Sequence, residues 1–168
     1  MRVHGGVTAL AVLLIALLTG CGVPVDPDGT LDRVSGDTLR VGVSPHGDFT
    51  TVDDGEVSGS EAHLVEDFAA SIDADIEWTV ASEEALVREL EHGALDLVIG
   101  GLTDKTPWID KAGMTRPYDE FTDARGETHK LVMLVPLCEN GFLVELERFL
   151  HDAAASASPT ATGAEATP

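Results

Sequence analysis

The chain carries 168 residues, with 30 acidic against 10 basic side chains and a formal net charge of −20 at neutral pH. A surface that acidic repels polyanions at close range, so nucleic acid is excluded as a partner and a basic patch is excluded as a route to a membrane. The length suits one domain and is short for two.

The chain opens as an export signal. Arg2 gives a short cationic start, and residues 7–18 form an almost unbroken apolar run. About a dozen apolar residues fall short of the roughly 20 needed to span a bilayer as a helix, and they fit the core of a secretory signal. The run closes on Leu18-Thr19-Gly20-Cys21, the pattern at which a lipoprotein signal peptidase acts. The Cys21 thiol takes a diacylglyceryl group, and removal of residues 1–20 leaves Cys21 as the new N-terminus. The expected location is therefore the extracytoplasmic face of the cell membrane, held by the lipid on Cys21, with each buried methylene contributing roughly 0.8 kcal/mol. An ordinary secretory signal with a chance cysteine, or a plain anchor helix, is the alternative.

After Cys21 the sequence is rich in Pro, Asp and Gly and lacks apolar periodicity, which reads as a flexible spacer over 21–37. The run Asp26-Pro27-Asp28-Gly29 lacks the further oxygen ligands of a calcium loop and belongs to that spacer. Residues 39–43 alternate and are β-rich, a first strand. Asp53-Asp54-Gly55 signals a turn. From Ser60, a candidate cap, Leu64, Val65, Phe68, Ala69 and Ile72 recur at helical spacing. Residues 76–80 predict a second strand. Ser82 can cap the next helix, which buries Leu86, Val87 and Leu90 and ends at Gly93. Residues 95–99 are an apolar run bounded by glycine, suited to a strand covered on both faces. A Gly/Thr loop, a short strand at Met114 and a strong strand over 131–135 follow. The last helix buries Phe142, Leu143, Leu146, Phe149 and Leu150 and exposes Glu145, Glu147 and Arg148. Residues 153–168, with Glu165 their single charge, read as a disordered Ala/Ser/Thr/Pro tail.

Between spacer and tail, residues 38–152 read as one α/β lobe. Strands alternating with helices predict a three-layer unit with a mostly parallel sheet covered on both faces. Such sheets bind ligands beyond the carboxyl ends of their strands, here the loops after Ser44 and Ile99. With Cys21 lipidated, Cys138 has no partner for an intramolecular disulfide. It reads as a small apolar residue, with pairing to another chain as the alternative.

Four stretches carry a resemblance. They are Leu39-Arg40-Val41-Gly42-Val43-Ser44-Pro45; Gly59 before a helix; Leu90-Glu91-His92-Gly93-Ala94-Leu95-Asp96-Leu97-Val98-Ile99-Gly100-Gly101-Leu102-Thr103; and Thr115-Arg116-Pro117-Tyr118. Together they resemble the first lobe of the bacterial extracellular solute-binding proteins of family 3, the polar amino acid receptors of ABC importers. The resemblance implies lobe 1 of a periplasmic-binding-protein type II fold, and the membrane subunits of an importer as partners. It covers 38–118 well and the final strand and helix more loosely. Two departures stand out. In the family a second lobe follows the Pro-Tyr pair, whereas here Asp119 to Lys130 is all that separates Tyr118 from the next strand. The family also holds a ligand carboxylate with an Arg after the Gly/Thr loop, and here Trp108 stands at that place. Arg116 lies on another element, and Lys105 offers charge without a guanidinium fork.

The residues left to form a shallow site are Phe49, the backbone N–H groups of Gly101 and Leu102, the Thr103 hydroxyl and the Trp108 ring. Phe49 and Trp108 flanking a polar loop would sandwich a planar or cationic group. The alternative is that Trp108 covers the loop while Phe49 lies in the core. His46, His63, His92, His129 and His151 lack metal-site spacing, so no metal is expected, and no cofactor either. Glu83, Glu84, Glu89 and Glu91 read as a solvated helix face, and no catalytic arrangement is present, so the protein is not read as an enzyme. The function expected is a lipid-anchored receptor lobe binding a small polar solute for an importer. The alternatives are an envelope protein-interaction module that no longer binds solute, and a homodimer in which two lobes rebuild a cleft.

Overall fold

A computed structural model describes residues 26–157; the export signal 1–20, the lipidation site Cys21 and residues 158–168 of the expected tail lie outside the described residues. In chain order the elements are α1 (Thr30–Val34), β1 (Thr38–Val43), the hairpin β2 (Thr51–Asp53) and β3 (Glu56–Ser58), α2 (Ser60–Ser71), β4 (Asp75–Val80), α3 (Glu83–Glu91), β5 (Leu97–Ile99), β6 (Gly113–Met114), the hairpin β7 (Asp119–Thr122) and β8 (Thr128–Leu131), β9 (Leu134–Val135) and α4 (Asn140–Ala157). The main sheet has the order β4-β1-β5-β9-β6. β1 runs parallel to β4 and β5, whereas β9 is antiparallel to both β5 and β6. The sheet is thus mostly parallel, and helices cover both its faces.

The alternation along β1 explains how both faces fill. Leu39, Val41 and Val43 point into one cluster with Val65 and Phe68 of α2 and Phe142, Leu146 and Leu150 of α4. Gly42 faces the other side, where α3 packs through Leu86, Val87 and Leu90. A Cβ on Gly42 would lie 2.8 Å from the Leu86 and Leu95 side chains, so the missing side chain sets how closely α3 approaches the sheet. Val98 and Leu134 continue this second cluster on the same face.

Residues 26–37 are not a spacer within the described part. Val34 is fully buried, and α1 is fastened to the start of α4. Asp26 Oδ2 accepts the N–H of Leu31 at 3.0 Å, and its Oδ1 accepts the N–H of Phe142, also at 3.0 Å. In return Glu139 accepts the N–H groups of Asp28 and Thr30, each at 2.9 Å. Two helix starts therefore share two carboxylates, which satisfies backbone donors that a helix terminus leaves open.

Other expectations change in detail. Gly59, not Ser60, occupies the cap position of α2, and neither it nor Ser82 before α3 makes a side-chain cap bond. The strand expected over 131–135 is divided: Leu131 pairs with β7, while Leu134 and Val135 join the main sheet. The helix of 140–157 carries past the expected start of the tail at 153. Cys138 is exposed with a φ of 71°, not an apolar filler. No helix among the described residues is long and apolar enough to cross a membrane.

At the opposite end of β5 from its loop, Asp96 has a fully buried side chain. It accepts the backbone N–H and the Nε–H of Arg40, both at 3.0 Å, and is ion-paired to the guanidiniums of Arg40 and Arg33. Burial alone would raise its pKa, but Arg40 and Arg33 outweigh burial and hold it below the ordinary 3.8. Its contribution to stability is therefore present above pH 3.8 and is lost as pH falls through the folded value. Arg40→Ala should cost about 2 kcal/mol in urea denaturation at neutral pH, since Arg33 still compensates part of the buried charge. A loss indistinguishable from zero would remove Asp96 as an organiser of this end of the sheet.

Candidate functional site

Because β1, β4 and β5 are parallel, Val43, Val80 and Ile99 end on one edge of the sheet. The loops that leave β1 and β5 there are held together by their backbones. Ser44 N–H donates to Ile99 O at 3.0 Å, and a Cβ on Gly100 would lie 2.5 Å from Ser44 O. In the β1 loop, Thr50 donates its hydroxyl to Ser44 O at 2.8 Å and accepts the His46 N–H on the same oxygen. This fixes the turn that carries Phe49.

Phe49 and Gly101 lie side by side. A Cβ on Gly101 would stand 2.9 Å from both the Phe49 and His46 rings, so the two rings lie over this glycine. Phe49 is half-buried and lies outside the two core clusters. Its ring centroid is 5.0 Å from that of Phe121 on β7, and Phe121 stacks in turn on His129 of β8 at 5.0 Å. The result is a partly exposed run of rings, His46, Phe49, Phe121 and His129, reaching from the β1 loop to the β7–β8 hairpin.

The other expected residues make contacts within the lobe. The Gly100 and Gly101 N–H groups both donate to Glu61 Oε2 at 2.8 Å, so the Gly101 donor is consumed inside the protein. Leu102 is buried, and its carbonyl accepts the Val132 N–H at 2.9 Å. Thr103 is half-buried and bridges to Leu131. Trp108 packs on the α3-side cluster, its Nε1–H donates to Glu83, and Lys111 lies 5.9 Å from its ring centroid. Trp108 thus packs on the second core cluster while Phe49 joins a separate ring group. Glu83 correspondingly is not simply a solvated acid. Lys105 is ion-paired to Glu127 at 2.6 Å and Arg116 to Glu147 at 2.8 Å.

Glu61 is the organising residue that the sequence reading passed over. It sits in the first turn of α2, 1% exposed, and besides the two glycine N–H groups it accepts the Tyr118 hydroxyl. Burial pushes its pKa above the ordinary 4.5, opposed by the bonds from Tyr118, Gly101 and Gly100. Burial and the Glu61 charge likewise push the Tyr118 phenol far above its ordinary value. An acid in a first helical turn is the usual dipole placement, so composition gave no sign that this one points inward. At the hairpin end, ligand atoms of Asp123, Glu127 and His129 lie within 4.8 Å of one another, the arrangement among the described residues that could hold a cation. Asp123 already accepts the N–H groups of Arg125 and Glu127, each at 2.9 Å, and Glu127 is engaged by Lys105.

Residues 39–126 match the family described as bacterial extracellular solute-binding proteins, family 3. Among solved structures, a mutant of the arginine-bound form of domain 1 from TmArgBP aligns with a TM-score of 0.66 at 20% identity, over 74% of this chain and 98% of that one. An ancestral cationic amino acid solute-binding protein gives 0.63 at 14% identity, over 77% of this chain and 93% of that one. A Salmonella typhimurium periplasmic binding protein with high arginine specificity gives 0.62 at 14% identity, over 73% and 95%. These likenesses establish the fold as that of the first domain. No curated protein matches the sequence.

Proposed function

The chain belongs to the bacterial extracellular solute-binding proteins of family 3, and from that premise we propose that it is a lipid-anchored, extracytoplasmic receptor lobe taking a small polar solute for an ABC-type importer. Family membership speaks for binding rather than catalysis. The anchor rests on the Leu18–Cys21 pattern, and the importer on the family's role.

The observation that carries the reading is the ring group at the carboxyl edge of the sheet, with Phe49 over Gly101 and Phe121 between Phe49 and His129. Ring faces in so acidic a chain favour a cation. Arginine, which the matched proteins bind, is the first probe. Since Trp108 stands where the family places its carboxylate-binding Arg, a guanidinium compound without a carboxylate should bind at least as well as arginine. At about 100 times its Kd such a ligand stabilises by roughly 2.7 kcal/mol, a shift of several degrees in Tm. Phe49→Ala should weaken binding about tenfold, the value of one cation–π contact of between 1 and 2 kcal/mol. Unchanged affinity in both Phe49→Ala and Phe121→Ala would sink this site assignment.

One observation favours a second reading, that of a protein-interaction module without solute. The Gly101 donor and Trp108 are both engaged within the lobe. A folded lobe that gives no thermal shift with any amine, amino acid, sugar or peptide, yet crosslinks to an envelope protein, would establish it. A dimeric mass in solution would instead support two lobes facing each other.

A further inference from the structure

The spacing of Asp123, Glu127 and His129 along the chain matches no metal-binding signature, but the β7–β8 hairpin brings the three together. The ladder runs from Asp119 opposite Leu131 to Thr122 opposite Thr128, and the Asp123 N–H extends it by donating to Glu127 O at 2.9 Å. Side chains two residues apart on a strand share a face. Asp123 and Glu127 therefore follow the paired Phe121 and His129 on one side of the ribbon, and ligand atoms of Asp123, Glu127 and His129 lie within 4.8 Å of one another.

Two of these donors are oriented by the hairpin itself. The His129 ring stacks on Phe121 with centroids 5.0 Å apart, and its Nε2 lies 3.4 Å from Asp123 Oδ2. Oδ1 of the same carboxylate accepts the N–H groups of Arg125 and Glu127, each at 2.9 Å, which leaves Oδ2 for the imidazole side. Two donors that share one tetrahedral ion at about 2.1 Å stand about 3.4 Å from each other, so the nitrogen and the oxygen are already at a shared-ion separation. Positive charge converges on the same spot. Arg125 Nε donates to Asp123 Oδ2 at 3.2 Å, and Lys105 Nζ, from the β5 loop, donates to Glu127 Oε1 at 2.6 Å. Both cations ride on exposed side chains, and exposed pairs of this kind hold weakly.

We propose that Asp123 Oδ2, the Glu127 carboxylate and His129 Nε2 form a binding site for a divalent transition ion of the zinc type, and that the ion displaces Lys105 from Glu127. An imidazole nitrogen among the donors favours such an ion over calcium and magnesium, which take shells of oxygen. Loading unties the Lys105 side chain and leaves the backbone bond from Asp104 N–H to Lys130 O in place. The site stands whether or not the lobe takes a solute.

The test is calorimetric titration with zinc on the full chain carrying Cys138→Ser, because that exposed thiol would bind the same ion. Zinc should bind at least about tenfold more tightly than calcium or magnesium. Glu127→Gln and His129→Ala should each weaken zinc by about tenfold or more, since even the loss of an outer partner of a metal ligand costs that much. Lys105→Ala should strengthen it several-fold by removing the competing ammonium. His63→Ala, which removes a second imidazole–carboxylate pair at Glu66, should change nothing. With cobalt in place of zinc, the visible absorption of the bound ion should be lost in His129→Ala. Zinc affinity unchanged in both Glu127→Gln and His129→Ala, or calcium bound as tightly as zinc, as a diffuse field of carboxylates would hold it, overturns the site. Zinc affinity unchanged in Lys105→Ala overturns the displacement.

Discussion

Gly100→Ala should remove about 4 kcal/mol of folding stability, a large share of what a domain of this size possesses. Two effects add. The φ of Gly100 is +150°, a backbone state that L side chains rarely adopt, and a Cβ there would stand 2.5 Å from Ser44 O and 2.8 Å from Ser44 Cβ. The first obstacle is a backbone oxygen, and it is held in place because it also accepts the Thr50 hydroxyl. Relief therefore requires the β1 and β5 ends to separate, and those ends carry the candidate site. Gly93→Ala is the matched control, with a φ of +70° but nothing within 4 Å of the added Cβ. It should lose only about 1 kcal/mol, the cost of the positive φ alone. Urea denaturation of the two variants separates strain from collision; equal losses would show that the close approach of the loops is not rigid.

Glu61→Ala should cost about as much, roughly 4 kcal/mol, because it strands the Gly100 and Gly101 N–H groups and the Tyr118 hydroxyl in the interior. Each stranded group carries a penalty of about 1–3 kcal/mol. Glu61→Gln keeps an acceptor for the glycines and a donor toward Tyr118, and should lose far less. The pair also tests the charge. A carboxyl whose folded pKa lies above its unfolded value binds its proton more tightly in the native state. Its stabilising contribution is complete below the ordinary 4.5 and is lost as pH rises through the folded value. The melting temperature of the wild type should thus fall relative to Glu61→Gln as pH is raised above 4.5. Parallel curves for the two proteins would mean that Glu61 titrates as if exposed.

The layers of the fold were legible because their signals are local. Leu64, Val65, Phe68 and Ala69 mark the buried face of α2 at helical spacing, and the apolar run ending at Ile99 marks a strand covered on both sides. What escaped depends on distant partners. Asp26 looks like one more acid in a Pro/Asp/Gly stretch until Phe142, 116 residues away, donates to it. Residues 131–135 read as one strand, yet two neighbours divide it between them. The strands β7 and β8 are mostly exposed and polar, with no apolar alternation to reveal them. In the site, Phe49 and Trp108 are the same kind of signal, a half-buried aromatic beside a loop. Only packing tells that one joins Phe121 and the other covers α3.

The β7–β8 hairpin leaves the lobe and returns to it through a gate where Tyr118 N–H donates to Leu131 O at 3.1 Å, and beside it Asp104 N–H donates to Lys130 O at 2.9 Å. Its own ladder runs from Asp119 against Leu131 to Thr122 against Thr128, and its tip at Ala124 and Arg125 is exposed. The main sheet therefore closes whatever the gate encloses, and exposed tips of this kind accept inserted domains. Phe121, inside the gate, touches Phe49. A fluorescent protein spliced into that tip would be coupled to the candidate site through the Phe121–Phe49 ring contact and to the β5 loop through the Lys105–Glu127 ion pair.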